Sequence, residues 1–414
     1  MTQPIGEAHP PKTRGALARR EARLAWGLLF PTLAIVSLVI LLPLLAIFWI
    51  SVKPVGLADL RAVEPVVKES FRTRGDTPQL EYRVRNSSQD KTIDAAGFVD
   101  EIPASIRILE VPDTCTLDGS SLKCDFGSME GGFSERLRIP IEFDGDKDTA
   151  ESVTEGSLPL ISGRGDNVLT NNEFTADNFK RIFDSSEFLS VLWATMFYTV
   201  VGTIGALVVG LFAALLLNKS FRGQGVLRGL YLFPYVSPII AVAFTWVTLF
   251  DPFSGSVNAL LTQMNVTEGP VNFFGERPQA LIMVTVFEIW RYFPLSFLFI
   301  LARMQAIDSD MYEAADMDGA SPFQKFWFLS MPQLLGILSV LFLLRFIWTF
   351  NKFDDIFLLT GGNAGTRTLT VNVYEQAFAI SNIGAGAAVA VVIFAVLLTF
   401  SFLFFRYLSK EEGL

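Results

Sequence analysis

Two apolar stretches of this 414-residue chain carry charged, aromatic and hydroxyl side chains suited to holding a polar solute. They supply Glu288, Trp290, Arg291 and Tyr292 from one stretch and Arg345, Trp348, Thr349 and Lys352 from the next. Charge inside a membrane span is costly without a partner or water. Glu288 and Arg291 lie one helical turn apart and could pair. The pattern favours a polar cavity for a sugar over a purely structural ion pair, because aromatic faces stack on sugar rings while polar groups bind hydroxyls.

Two adjacent carboxylates suggest acid–base catalysis as a second possible function. Asp354 and Asp355 could serve as an acid–base pair in a membrane enzyme acting on lipid-linked sugars. Neighbouring carboxylates usually point apart, however, and no other catalytic group lies near them in sequence. The sole histidine, His9, lies in the N-terminal tail, so we expect no catalytic residue, no metal site and no enzyme activity.

The elements that position these residues are six predicted membrane spans. The composition is 51% hydrophobic and 18% charged, and each span needs roughly 20 apolar residues. The predicted spans are residues 25–51, 189–217, 226–250, 279–303, 333–350 and 383–406. Five cations precede the first span, which predicts cytoplasmic N- and C-termini. Gly202, Gly205 and Gly210 in the second span predict close helix packing.

A helix–glycine–helix loop lies between the fourth and fifth spans. Residues 312–318 form helices readily, and Gly319 can adopt the positive φ that ends a helix. Ser321 can then cap a second helix whose first residue is Pro322. Neither helix is long enough to be stable alone in water, so the loop predicts a cytoplasmic partner.

The residues of this loop resemble a known motif. Glu313-Ala314-Ala315, then Asp318-Gly319-Ala320, then Pro332 are similar to the EAA loop of ABC-importer permeases, above all the carbohydrate branch. The resemblance extends over roughly residues 175–410. It implies a bacterial or archaeal inner-membrane protein that works with a second permease, two ATP-binding subunits and an extracytoplasmic solute-binding protein.

The resemblance also implies which residues contact the solute. The matching positions are Glu288, Trp290, Arg291, Tyr292, Leu295, Arg345, Thr349 and Lys352. Several are charged here and neutral in the maltose-type relative. The sugar is therefore left open, and an anionic substrate such as glycerol phosphate remains an alternative.

The chain has no phosphate-binding loop of the G-x-x-x-x-G-K-[ST] type. We therefore expect no directly bound cofactor, with ATP held by partner subunits. A secondary transporter is the other class considered, and the EAA-type loop and the lack of an internal repeat argue against it.

Residues 52–186 form a predicted extracytoplasmic insert and connector. They hold 16 Lys and Arg against 25 Asp and Glu, which excludes a nucleic-acid partner and indicates a solvated acidic surface. Apolar residues alternate over 80–85 and 137–143, and Ile106 and Ile108 fit a third strand. Pro140 suggests an edge strand, and residues 147–186, rich in Gly, Ser, Asp and Asn, suggest a connector. Residues 65–146 resemble immunoglobulin-like repeats of bacterial surface proteins.

Both cysteines lie in this insert. Cys115 and Cys124 flank Asp118-Gly119, which is a good hairpin turn, so opposed strands could bring the sulfur atoms together. We predict a disulfide, as an oxidising compartment allows; two free thiols are the alternative. The insert either docks the solute-binding protein or braces the permease.

The sequence thus predicts an all-α polytopic membrane protein with an inserted all-β, immunoglobulin-like domain. Its predicted parts are a cytoplasmic tail (1–24), a first span (25–51), the insert and connector (52–186) and a permease domain (187–410) with its EAA-type loop at 304–332.

Overall fold

The computed structural model describes residues 16–73, 77–144, 150–152, 154 and 158–411. Five helices in this part of the chain are long and apolar enough to cross a membrane, and a bent helix pair makes a sixth candidate. We number them in chain order: span 1 Arg20–Ser51, span 2 Phe188–Leu217, span 3 Gln224–Val236 with Ile239–Leu249, span 4 Gln279–Gln305, span 5 Pro322–Phe350 and span 6 Ile383–Tyr407. The predicted set of about six apolar helices is confirmed. His9 lies outside the described residues.

Span 3 is not the single straight helix that the sequence suggested. Its two halves meet at an angle of 89°. Pro234 and Pro238 flank the break, and proline cannot donate the backbone hydrogen bond that a continuous helix requires. Short helices connect the spans: Leu57–Leu60, Asp177–Phe183, Ser256–Gln263, Ser309–Met317, Asp354–Thr360 and Leu369–Tyr374.

Spans 2 and 4 pack closely through glycines. A Cβ atom placed on Gly205 would lie 2.3 Å from the Ile289 side chain, and one on Gly210 would lie 2.7 Å from Ser296. The predicted role of these small residues in close helix approach is therefore confirmed. Gly202 on the same helix faces Glu288, so the contact also sets the depth of the polar residues in span 4.

The C-terminal end of span 1 and the N-terminal end of span 6 are held against the connector. Lys53 is fully buried and donates to the backbone oxygen of Asn171, with its ammonium 4.2 Å from the ring centre of Phe174. Asn178 donates to the Lys53 carbonyl at 2.8 Å, and the Gly384 amide donates to Val55 at 2.8 Å. These contacts hold the connector against the ends of spans 1 and 6 before the chain enters span 2.

The insert is built from two four-stranded antiparallel sheets. The strands are β1 Pro65–Arg72, β2 Gln79–Asn86, β3 Ile93–Glu101, β4 Ile106–Ile108, β5 Cys115–Asp118, β6 Ser121–Met129, β7 Ser134–Phe143 and β8 Leu160–Gly165. The orders are β1-β2-β7-β4 and β5-β6-β3-β8. Side chains from both sheets share one apolar core. Tyr82 of the first sheet donates to Asp100 of the second at 2.6 Å, and burial raises the pKa of Tyr82.

One strand was missed in the sequence, and one expectation about these strands was wrong. Residues 160–165 lie in the predicted connector but form β8, paired with β3. Pro140 lies in β7, which pairs with both β2 and β4 and is not an edge strand. The carbonyl of Pro140 accepts from Leu109, just beyond the three residues of β4, so the missing amide hydrogen faces the end of the ladder.

The cysteines face each other on neighbouring strands of one sheet. Cys115 pairs with Cys124 across β5 and β6, and their sulfur atoms are bonded. Gly119, with φ of +62°, makes the turn between the strands. The disulfide therefore closes a hairpin.

Candidate functional site

Glu288 is the centre of a buried cluster formed by three spans. One carboxylate oxygen accepts from the Arg345 guanidinium at 2.6 Å and from the Thr349 hydroxyl at 2.8 Å, and the other accepts from Tyr198 at 3.0 Å. Glu288 and Arg345 are 0% and 1% exposed. We call Glu288, Tyr198, Arg345 and Thr349 the buried cluster. Its charge is paired and hydrogen-bonded, which is the condition under which ions are tolerated inside a membrane protein.

The side chain of Tyr292 covers one side of this cluster. It lies one turn after Glu288 on span 4, and the Arg345 guanidinium carbon is 4.7 Å from its ring centre. The Lys352 ammonium is 4.2 Å from the same ring and donates to its hydroxyl. Lys352 also lies 3.9 Å from the carboxylates of Asp354 and Asp355. Tyr292 is 9% exposed and the Lys352 side chain 18%, so the cluster and its two neighbours leave only a small part of each accessible.

Arg291 does not pair with Glu288, so that expectation was wrong. Its guanidinium donates to the carbonyls of Pro234 and Ser237, both at 3.1 Å. These carbonyls lie at the break in span 3, where the helix leaves backbone acceptors free. Residues three apart on a helix also diverge by about 60°, and Arg345 of span 5 reaches Glu288 more directly.

Tyr235 belongs beside these residues, although sequence reasoning missed it. It lies between the two carbonyls that Arg291 holds, its ring centre is 6.1 Å from that of Tyr292, and it is 41% exposed. The signal was present in the sequence as two prolines four residues apart in an apolar run, which is typical of a broken helix.

Two other predicted solute contacts lie apart from the cluster. Trp290 packs against Trp246 of span 3, with ring centres 5.4 Å apart. Leu295 is half-buried seven residues after Glu288, on the same face of span 4. The structure therefore brings together Glu288, Tyr292, Arg345, Thr349 and Lys352, and gives Arg291 and Trp290 packing partners in span 3.

The two carboxylates considered for catalysis have different surroundings. Asp355 is fully buried, while the Asp354 side chain is 51% exposed. Both carboxyl groups lie 3.9 Å from the Lys352 ammonium. Across the described ranges, no group of three His, Cys, Asp or Glu side chains could hold a metal ion.

The EAA-type loop is a second site, separate from the buried cluster. The helix Ser309–Met317 ends before Gly319, whose φ is +73°, and Ser321 caps the next helix in a reciprocal pair with Gln324. This second helix does not stop but continues as span 5, through a π-helical turn at Phe326–Ser330. Pro332 lies within that continuous helix.

The motif residues of this loop are all at least partly accessible. Each of the following is exposed or half-buried: Glu313, Ala314, Ala315, Asp318, Gly319, Ala320 and Pro332. Met317 and Phe323 are 89% and 72% exposed. Tyr312 and Ser330 share a hydrogen bond of 2.8 Å, and Lys325 and Asp316 an ion pair of 2.5 Å. The hydrogen bond and the ion pair hold the bend of the loop in place, and its exposed apolar side chains are accessible to a partner.

Comparison with known proteins matches this architecture. The family model described as binding-protein-dependent transport system inner membrane component matches residues 206–411. The inner membrane ABC transporter permease protein YcjO of Escherichia coli is 36% identical over 221 residues, 53% of this chain and 74% of YcjO. The trehalose/maltose transport system permease protein MalF of Thermococcus litoralis is 32% identical over 230 residues, 55% and 77% of the two chains.

A solved structure shares the fold. A chain of the bacterial alginate ABC transporter, in complex with its alginate pentasaccharide-bound periplasmic protein, has a TM-score of 0.53 at 19% identity. The match covers 57% of this chain and 83% of that one. The resemblance drawn from the EAA-type loop is confirmed: this chain belongs to the family of binding-protein-dependent transport system inner membrane components, the permeases of ABC transporters.

Proposed function

We propose that this permease carries a carbohydrate across the inner membrane past Tyr235, Tyr292 and Lys352. The observation that carries the proposal is the aromatic pair beside a lysine ammonium, next to the buried ion pair of Glu288 with Arg345. Aromatic rings can stack on a sugar while Lys352 and the tyrosine hydroxyls bind its hydroxyl groups. Glu288, Arg345 and Thr349 position these residues from behind, and Trp290, Arg291 and Leu295 support spans 3 and 4.

The names of the relatives support a sugar. MalF is a trehalose/maltose permease, and the solved neighbour handles alginate. The sn-glycerol-3-phosphate permease UgpA of Salmonella choleraesuis is 30% identical over 241 residues, which cover 57% of this chain and 80% of UgpA. A phosphate ester is therefore the competitor to test, but the Asp354 carboxylate already lies 3.9 Å from the Lys352 ammonium and makes a second anion there less favourable.

The energy for transport comes from partner subunits in this proposal. Glu313 and the bend at Gly319 dock an ATPase, and a second permease completes the pathway, with two ATPases and one solute-binding protein in the assembly. Exposed Met317 and Phe323 supply apolar contacts for such docking. The termini and the EAA-type loop face the cytoplasm of a bacterial or archaeal cell, and residues 52–186 face outward as a unit distinct from the permease domain at 187–410.

The insert is an immunoglobulin-like domain in this proposal. Two packed antiparallel sheets support that identity. The disulfide differs from the antibody pattern, since it joins neighbouring strands of one sheet rather than the two sheets.

The test is ATP-driven uptake by the complete importer in liposomes. Uptake of maltose or trehalose, with glycerol 3-phosphate failing to compete, supports the proposal; preferred uptake of glycerol 3-phosphate overturns it. Tyr292→Leu should reduce sugar uptake by about tenfold, the loss of roughly 1.4 kcal/mol of binding. Trp193→Leu removes an aromatic side chain that is 67% exposed elsewhere on span 2 and should leave uptake unchanged.

A further inference from the structure

Asp355 is a buried carboxyl group that the proposed transport path does not use. It lies in the first turn of the helix Asp354–Thr360 and is fully buried. Among the described residues, no group donates a hydrogen bond to either of its oxygen atoms. The Lys352 ammonium lies 3.9 Å away, which is beyond hydrogen-bond distance. A charged carboxylate is costly in such a place, because burial removes its water and no donor replaces that water.

The nearest acidic neighbour of Asp355 on another element is Glu288, whose carboxyl group lies within hydrogen-bond reach. Two ionised carboxylates cannot form a hydrogen bond with each other, because neither has a proton to donate. One proton between the two groups turns this repulsive contact into a hydrogen bond. Glu288 keeps its charge, since its oxygen atoms accept from three donors of the buried cluster. The proton therefore lies on Asp355, which donates to Glu288.

The charges around Asp355 balance only when it is neutral. Glu288 is matched by Arg345, and Asp354 is matched by Lys352. An ionised Asp355 would add a negative charge without a cation of its own in a fully buried position. Burial and the neighbouring Glu288 carboxylate accordingly raise the pKa of Asp355 well above its usual range.

The surrounding elements bring few other groups that titrate. The groups around Asp355 are Tyr198 on span 2, Glu288 and Tyr292 on span 4, Lys352 after span 5, and Asp354 beside it. The helix Ile239–Leu249 packs against the helix of Asp355 and contains no titratable side chain. Tyr374, on the helix Leu369–Tyr374, contacts Phe353 and Phe357. Of the groups around Asp355, only Lys352 carries a positive charge.

We propose that Asp355 positions Lys352 for the solute by remaining protonated. The inference rests on the proposed function, because it assumes that Lys352 binds the solute. Among the described residues the Lys352 ammonium donates to Tyr292, which leaves two of its three hydrogens for hydroxyl groups of the solute. If Asp355 loses its proton to water, the new charge attracts these hydrogens and withdraws Lys352 from the solute. Asp355 is thus a positioning residue whose proton sets the rate of transport.

The experiment measures ATP-driven sugar uptake by the complete importer in liposomes at a series of pH values. In wild type, the maximal rate should fall by about tenfold as the pH rises through the raised pKa of Asp355, because a charged hydrogen bond to the solute is lost. The sugar concentration for half-maximal uptake should stay constant, since the solute-binding protein captures the sugar in the proposed function. Asp355→Asn cannot ionise and still donates to Glu288, so its rate should not show this fall.

Asp354→Asn is the matched control for the pH dependence. It removes a carboxyl group that lies at the same distance from Lys352 but is 51% exposed, so the fall with pH should persist. Lys352→Gln should transport slowly at every pH and show no fall, because it lacks the ammonium that Asp355 withdraws. A fall in Asp355→Asn as steep as that in wild type overturns the inference.

Infrared spectroscopy of the purified permease tests the proton without transport. Wild type at neutral pH should show the carbonyl band of a buried, protonated carboxyl group, which Asp355→Asn lacks and Asp354→Asn retains. Absence of this band from wild type overturns the inference, even where a variant does not fold. If the importer prefers glycerol 3-phosphate to sugar, the proposed function fails instead, while the band still decides whether Asp355 is protonated.

Discussion

Glu288 shows how far residue types can be interpreted without coordinates. A carboxylate, an arginine and a threonine in two apolar stretches predicted that these side chains line one polar cavity, and the structure joins them in direct contacts. The choice between Arg291 and Arg345 as its partner could not be made from spacing, because it depends on how spans 4 and 5 cross and on the free carbonyls of span 3. The hydrogen bond from Tyr198 to Glu288 could not be predicted for the same reason, because Tyr198 lies on a third helix.

The Glu288–Arg345 pair should behave as a unit. Glu288→Leu leaves a buried guanidinium without its carboxylate and should destabilise the permease by about 3 to 5 kcal/mol. Arg345→Met should destabilise the permease by a similar amount, because it leaves the buried carboxylate of Glu288 without its arginine. The double variant should recover most of this loss, because apolar side chains replace both charges. Thermal unfolding of the purified protein in detergent measures all three, and additive losses in the double variant would contradict the pairing.

At the scale of elements, the clearest predictions came from strict alternation or from helix caps. β2 and β7 alternate along most of their length, and the Ser321 cap lies at its expected position. β8 was missed because Leu-Ile-Ser-Gly-Arg-Gly has two glycines and no alternation, and it becomes a strand only because β3 offers it a free edge. Pairing with β3 thus made this segment a strand, although its own residues do not favour one.

Gly210 tests the contact between spans 2 and 4. Gly210→Ala places a methyl group 2.7 Å from Ser296 and 2.8 Å from the Phe297 amide nitrogen, so the helices must separate. We expect a loss of about 1 to 3 kcal/mol from overpacking. Gly229→Ala is the matched control, because Gly229 is helical and has no atom within 4 Å of the added Cβ. That variant should be neutral or more stable by up to about 1 kcal/mol. Similar melting temperatures for both variants would argue against a tight contact.

For the whole molecule, the decisive feature is one continuous helix. Span 5 runs from Pro322, beside the bend of the EAA-type loop, to Phe350, and it carries Arg345 and Thr349 of the buried cluster. At 1.5 Å per residue, Pro322 and Arg345 are about 35 Å apart along the axis. From the sequence, the loop at 304–332 and the span at 333–350 are predicted as separate segments. In the proposed function, this continuous helix is the path by which an ATPase docked at the loop moves the residues that bind Glu288.

Gly319 is where the bend of the EAA-type loop can be changed without altering the buried cluster. Its φ of +73° suits glycine, is tolerated by asparagine and is forbidden to proline, while the space around its Cβ position is open. Gly319→Pro should therefore misdirect the bend and lower substrate-stimulated ATP hydrolysis by on the order of tenfold or more, whereas Gly319→Asn should keep most of it. Membrane insertion and sugar binding by the solute-binding protein should stay normal in both. Because the two variants differ in backbone freedom rather than in contacts, equal stimulation of ATP hydrolysis in both would show that the angle of this bend does not couple the ATPase to span 5.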